Sequence, residues 1–116
     1  MTPPLRPLAL AALALLAASC ATARRDEPLA GPLPLDSPQL VAGQQVFMRN
    51  CYQCHPGGSA GLGPAINDKP LPGLAIKTQV RKGVGAMPAF DANRIPDADV
   101  DNLIAYLKTV RKNKPE

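Results

Sequence analysis

The sequence has no tryptophan, and its two phenylalanines and two tyrosines bring aromatics to only 3% of 116 residues. Aromatic side chains bury the largest areas per residue, so a core made from this chain alone is thin. The part that reads as folded, Asp36 to Lys112, is small enough that a cofactor or a covalent staple is normally needed to complete the interior. Histidine occurs once and cysteine three times. A structural zinc site wants four nitrogen or sulfur ligands, and Cys20 lies in an N-terminal apolar stretch, so zinc lacks a fourth ligand. No strand-like run precedes Cys51, which removes the βαβ setting of a thioredoxin-like dithiol. There is no Ser/His/Asp set, no paired catalytic carboxylates and no phosphate-binding loop, so nothing points to an enzyme. The formal charge of +4 is too small to imply nucleic acid.

What the chain does have is Cys51-Tyr52-Gln53-Cys54-His55. Two thiols three positions apart, followed at once by an imidazole, read as a c-type haem attachment site. One turn of backbone presents both sulfurs to the two vinyl groups of a haem, and the next residue supplies the proximal imidazole. One covalent haem c is therefore expected on Cys51 and Cys54, with His55 on the iron. A buried haem also supplies the apolar surface that the sparse aromatics do not. Its propionates would lower the net charge by roughly two if both ionise.

Met1 to Ser19 carries one charge, Arg6, and a Leu/Ala run from Leu8 to Ala18. This reads as a secretory h-region, too short to span a bilayer comfortably. Two processing readings compete. Ala17-Ala18-Ser19-Cys20 resembles a bacterial lipobox without its usual Leu, in which Cys20 is lipidated and becomes the mature N-terminus. Ala21-Thr22-Ala23 offers an ordinary A-x-A cut instead. Lipidation accounts for a cysteine that is otherwise unexplained and is preferred. Either cut implies export to the periplasmic side of a bacterial envelope.

The segments expected are a signal over 1–20 (or 1–23), a tether over 21–36 and a domain over 37–113. The tether is dense in proline (Pro28, Pro32, Pro34), which favours extended backbone and no core. About fifteen such residues would reach on the order of 45 Å.

The domain reads as all-α. A first helix is expected near Asp36 or Ser37 with Pro38 in its first turn, placing Leu40, Gly43 and Phe47 on one face. Residues 56–64 form a Gly/Pro loop, and a short helix from Leu74 to Lys82 is stopped by Gly83. A last helix runs from near Pro96 to about Arg111. Asp97, Asp99 and Asp101 lie at its start and Lys108, Arg111 and Lys112 at its end, as the helix dipole favours. Val100, Leu103, Ile104 and Leu107 form its apolar stripe.

With no second histidine, a sixth iron ligand has to come from methionine. Met1 leaves with the signal, and Met48 precedes the attachment turn on the wrong side. Met87 stands in a loop between Gly85 and Pro88, off any periodic helix face. A gap-filling core Met is the plainer use of that residue. Axial ligation, giving a His/Met pair, is the reading preferred.

Taken in order, these features resemble a class I cytochrome c of the short bacterial monohaem type. They are Gly43-x-x-x-Phe47, Cys51-x-x-Cys54-His55, Gly61-x-Gly63-Pro64-x-Ile66, Val80-Arg81-x-Gly83, Met87-Pro88-Ala89-Phe90 and Leu103-x-x-Tyr106-Leu107. The resemblance covers about Pro38 to Val110. It implies that Gly43 and Phe47 meet Leu103 and Tyr106, and that the Pro64 carbonyl accepts the free N–H of His55. Pro56 departs from the glycine common in the family at that point. With both axial positions filled, the expected function is outer-sphere transfer of single electrons between redox protein partners, not enzymatic turnover. Two other readings stay open: a tethered haem subunit of a periplasmic dehydrogenase, and a haem sensor or peroxidase-like protein that releases Met87. Lys69, Lys77, Arg81 and Lys82 are either a basic rim that steers an acidic partner or a solvated helix face.

Overall fold

The computed structural model describes residues 32–113; Cys20, both candidate cleavage sites and the tether as far as Gly31 lie outside the described residues. Three helices and the loops between them make up the fold, and no strand occurs among the described residues, so the domain is all-α.

Helix α1 spans Pro38–Asn50. Ser37, in extended backbone, caps it by accepting from Leu40 N at 3.3 Å, and Pro38 occupies the first turn, where its missing N–H is no loss. Helix α2 spans Gly73–Lys82, starting one residue before the expected Leu74. It ends at Gly83, whose φ of 65° lies in the region that disfavours any residue with a Cβ. Helix α3 spans Asp97–Lys112, with Asp97 and Asp99 in its first turn and Arg111 and Lys112 in its last.

The core lies where α1 crosses α3. A Cβ built on Gly43 would run into the Asn102 carbonyl and come within 2.8 Å of Tyr106 Cβ. A mid-helix glycine costs about 1 kcal/mol against alanine. Here it lets two backbones approach, which offsets that cost. The expected crossing is present, with Gly43 seated on the backbone of Asn102 and beside Tyr106. Phe47 packs its ring 5.4 Å from that of Tyr106, and Phe47 and Leu103 are each only 1% exposed. Val46, Val80, Phe90, Ile95, Val100 and Val110 join the same cluster. Leu33 and Leu35 pack against it too. Both belong to the end of the segment expected as tether, the rest of which lies outside the described residues.

Helix α2 is tied to the start of α3 by charge. Arg81 Nη2 lies 2.6 Å from Asp97 Oδ1, and Lys77 Nζ lies 3.5 Å from Asp97 and 3.8 Å from Asp101. Lys69 pairs with its neighbour Asp68 at 3.2 Å. Of the four cations considered as a rim, Lys69, Lys77 and Arg81 thus face carboxylates of the chain itself.

Candidate functional site

The attachment turn grows directly out of α1. Cys51 closes the helix by donating its N–H to Phe47 O at 2.8 Å, and its own carbonyl accepts from Cys54 N at 3.1 Å and His55 N at 2.9 Å. The chain winds once more past the helix end, which brings the two cysteines onto a single turn. Both thiols are free. Burial, and then the neighbouring Cys54, push the Cys51 thiol up to about 11, so it stays protonated at neutral pH.

His55 is 8% exposed, and its Nδ1 lies 2.8 Å from the Pro64 carbonyl. A carbonyl oxygen can only accept, so in the neutral ring the proton sits on Nδ1 and the lone pair on Nε2. The contact expected from the family resemblance is in place. The loop reaches it by folding back: Gly63 donates to Cys54 O at 2.9 Å, and Ile66 and Asn67 donate to Gly58 O at 2.8 and 3.0 Å. Gly63 has a role the sequence reading did not assign. A Cβ there would run into Cε1 of the ring and lie 2.9 Å from Nε2 and 3.0 Å from Nδ1, so the imidazole rests against bare backbone. The signal was present in Gly61-x-Gly63-Pro64, but which glycine the ring would touch depends on the loop's path.

Met87 comes from a separate turn after α2. Val84 and Met87 exchange N–H···O bonds of 3.1 and 2.9 Å, with Gly85 at φ 56° between them. Gly83 is more constrained, since a Cβ there would also meet Met87 O at 2.5 Å and Ala89 N at 2.8 Å, whereas one on Gly85 meets nothing within 4 Å. Met87 is half-buried, and its sulfur accepts from the Gln79 amide at 3.9 Å. Met48, by contrast, is 50% exposed on α1.

A groove of about 530 Å³ along α2 is lined by Pro72, Leu74, Ala75, Thr78, Gln79, Lys82 and Gly83. Its lining includes none of Cys51, Cys54, His55 and Met87, so it does not mark the candidate haem site. The polypeptide also leaves large aliphatic side chains bare, with Leu62 87% exposed, Leu74 77% and Val84 66%. Two free thiols, an imidazole with Nε2 unprotonated, a glycine bed under the ring and uncovered aliphatics fit an apolar, covalently held macrocycle. No group of three or more His, Cys, Asp or Glu suited to a bare metal ion occurs among the described residues.

Residues 38–107 match the family model described as cytochrome C oxidase, cbb3-type, subunit III, a span from the first residue of α1 deep into α3. The chain belongs to the class I monohaem cytochromes c. It is 36% identical over 98 residues to cytochrome c6 of Picosynechococcus sp. strain PCC 7002, covering 69% of this chain and 80% of that one. Cytochrome c6 of Gracilaria tenuistipitata var. liui is 34% identical over 82 residues, covering 64% of this chain and 75% of the other. The 4-cresol dehydrogenase [hydroxylating] cytochrome c subunit of Pseudomonas putida is 35% identical over 81 residues, covering 70% of each. No solved structure gives a significant match. As a cytochrome c, this protein carries one covalently bound haem c and transfers single electrons between redox protein partners; it is not an enzyme. The haem supplies the ferric/ferrous couple.

Proposed function

We propose that Cys51 and Cys54 form the two thioethers, that His55 Nε2 and the Met87 sulfur are the axial ligands, and that the protein is exported and works at a membrane surface. The observation that carries the ligand set is the His55–Pro64 contact of 2.8 Å, which leaves Nε2 as the basic nitrogen. The Pro64 carbonyl orients the ring and makes that nitrogen more basic. Gly63 sets the ring plane by sterics. Met87 is supported by elimination and by place: its turn is fixed at both ends, whereas Met48 is half-exposed on α1. A thioether opposite the imidazole favours ferrous iron and closes the last coordination position to small molecules. Such a centre changes charge with little movement of its ligands, which suits electron transfer.

The ligand set is tested with Met87→Ala. Haem should stay attached, the potential should fall and carbon monoxide should bind the ferrous protein. A wild-type protein that already binds carbon monoxide as readily would remove Met87 as a ligand and favour the sensor or peroxidase-like reading.

Membrane attachment rests on Cys20, since among the described residues no helix is long and apolar enough to cross a bilayer. The apolar stretch before Cys20 supports export, and the lipobox-like ending supports a lipid on that residue. Cys20→Ser should release the protein from membranes. A soluble wild-type protein beginning at Arg24 would favour the A-x-A cut.

A second reading is favoured by the Pseudomonas relative, whose name makes it a dehydrogenase's cytochrome subunit. On that reading this chain serves one specific periplasmic dehydrogenase, held near it by the tether. Purification of the native protein distinguishes the two, since a carrier emerges alone and a subunit emerges in complex.

A further inference from the structure

We propose that Arg81 is a positioning residue for the axial methionine, its guanidinium clamping the returning limb of the Met87 turn to α2 and α3. The proposal rests on Met87 as ligand and adds what holds it.

The turn leaves α2 at Gly83 and comes back at Phe90. It is closed in two ways. Phe90 donates its N–H to Val80 O at 2.9 Å. Arg81 Nη1 donates to Phe90 O at 2.9 Å and to Asp91 O at 3.3 Å. The other arm of the same guanidinium, Nη2, donates to Asp97 Oδ1 at 2.6 Å. One planar group thus joins the last turn of α2, the two residues where the methionine turn ends, and the first turn of α3. Its side chain is only 21% exposed and its bond to Phe90 O is partly buried, whereas the Asp97 carboxylate is open to solvent.

Geometry makes this an arginine's task. Two carbonyls and a carboxylate lie on different sides of the donor, which a rigid fork of N–H groups can reach together and a single ammonium cannot. Lys77 provides an internal comparison. It pairs with the same Asp97, at 3.5 Å, and with Asp101, but no bond joins it to the turn. If charge pairing between α2 and α3 were all that mattered, the two cations would be equivalent. A guanidinium already bonded to three oxygens also has little left to offer an acidic partner, which argues against Arg81 as a docking residue.

The consequence for the site is entropic. A thioether reaches iron only while its turn is held, and a turn ordered in advance loses less freedom on ligation than a loose one. Arg81 keeps the turn ordered.

The test uses the haem-loaded protein and two readouts. Carbon monoxide affinity of the ferrous form reports ligation, and hydrogen exchange at the Met87 and Phe90 amides reports the turn itself. Arg81→Ala should raise carbon monoxide affinity by about tenfold or more and speed exchange at both amides similarly, because charge-assisted bonds are lost. Lys77→Ala should leave both within about twofold of wild type, as exposed pairs usually do. Arg81→Lys should keep the link to Asp97 and still show most of the Arg81→Ala effect; it carries the test if Arg81→Ala does not fold. Unchanged affinity and exchange in the Arg81 variants would overturn the proposal. So would a Lys77→Ala effect of the same size, which would make Arg81 one of two generic helix ties. If exchange quickens but wild type binds carbon monoxide as readily as Met87→Ala, the ligand reading itself fails, and Arg81 holds a turn without positioning a ligand.

Discussion

On the imidazole side, Cys51, Cys54 and His55 follow one another within a single turn of backbone, and the loop beneath them closes within ten residues on Pro64. On the thioether side, Met87 stands alone in a turn whose ends are held by hydrogen bonds to α2 and by Arg81 reaching across to α3. The first arrangement is covalent and local; the second is non-covalent and depends on how two helices meet. An electron carrier needs both positions filled, but they do not fail alike. On the proposed ligand set, the imidazole would be held by the attachment turn itself, whereas the methionine would be released by whatever loosens a helix end. A protein with this division opens, when destabilised, on the methionine side first.

The largest effect expected is at the covalent side. Cys51→Ala with Cys54→Ala should abolish covalent haem, so that denatured protein loses its red colour and the mass of one haem. Retained covalent haem in that variant would break the comparison at its root.

Next in size is Gly63→Val, which puts a branched side chain where a Cβ already meets the imidazole at 2.9–3.0 Å. The ring has to tilt, and its 2.8 Å bond to Pro64 goes with it. Loss of a buried hydrogen bond of this kind costs about 1–3 kcal/mol, and the midpoint potential should move with the lost acceptor. A potential and thermal midpoint equal to wild type would show that the bed under the ring is slack.

A smaller and more telling contrast lies within the methionine turn. Gly83→Ala meets both positive φ and backbone at 2.8 Å, while Gly85→Ala meets positive φ with open space around it. The second should cost about 1–2 kcal/mol for the left-handed conformation alone, and the first distinctly more. Carbon monoxide binding should increase in the first and change less in the second. Equal effects would mean that conformation, and not the close approach to Ala89, is what shapes the turn.

The smallest effect expected is electrostatic. Arg81, and then Lys77, hold the Asp97 carboxyl below the usual carboxylate range. Because the folded-state value is depressed, the stability it contributes is fully present above the ordinary value of 3.8 and is lost as pH falls through the folded-state value. Asp97→Asn should therefore narrow the gap between wild type and variant only in acid, with no difference emerging between neutral and mildly alkaline pH beyond a constant offset. An acid unfolding curve in which the two proteins stay parallel would remove Asp97 from the clamp. Solvent exposure of this pair keeps the effect modest.

The sequence by itself determined the haem motif, the three helices and their order, and the candidacy of Met87. Each of these is local: a five-residue motif, a 3.6-residue periodicity, a glycine that ends a helix, a lone methionine between glycine and proline. The last helix could be read from its charged ends because the dipole acts within its own first and last turns. What no local pattern carries is which distant groups touch. Gly43 was legible as a packing glycine, but its seat on the Asn102 backbone follows from the angle at which α1 and α3 cross. Gly63 was legible as loop, and became the bed of an imidazole only because the chain folds back from Pro56 to Pro64. Arg81 and Lys77 read as a solvated or steering face, since a sequence shows a cation and not the carboxylate that will stand opposite it. Tertiary structure placed Asp97 beside both and the Phe90 carbonyl beside one, and so separated two cations four residues apart on the same helix into a clamp and a surface pair.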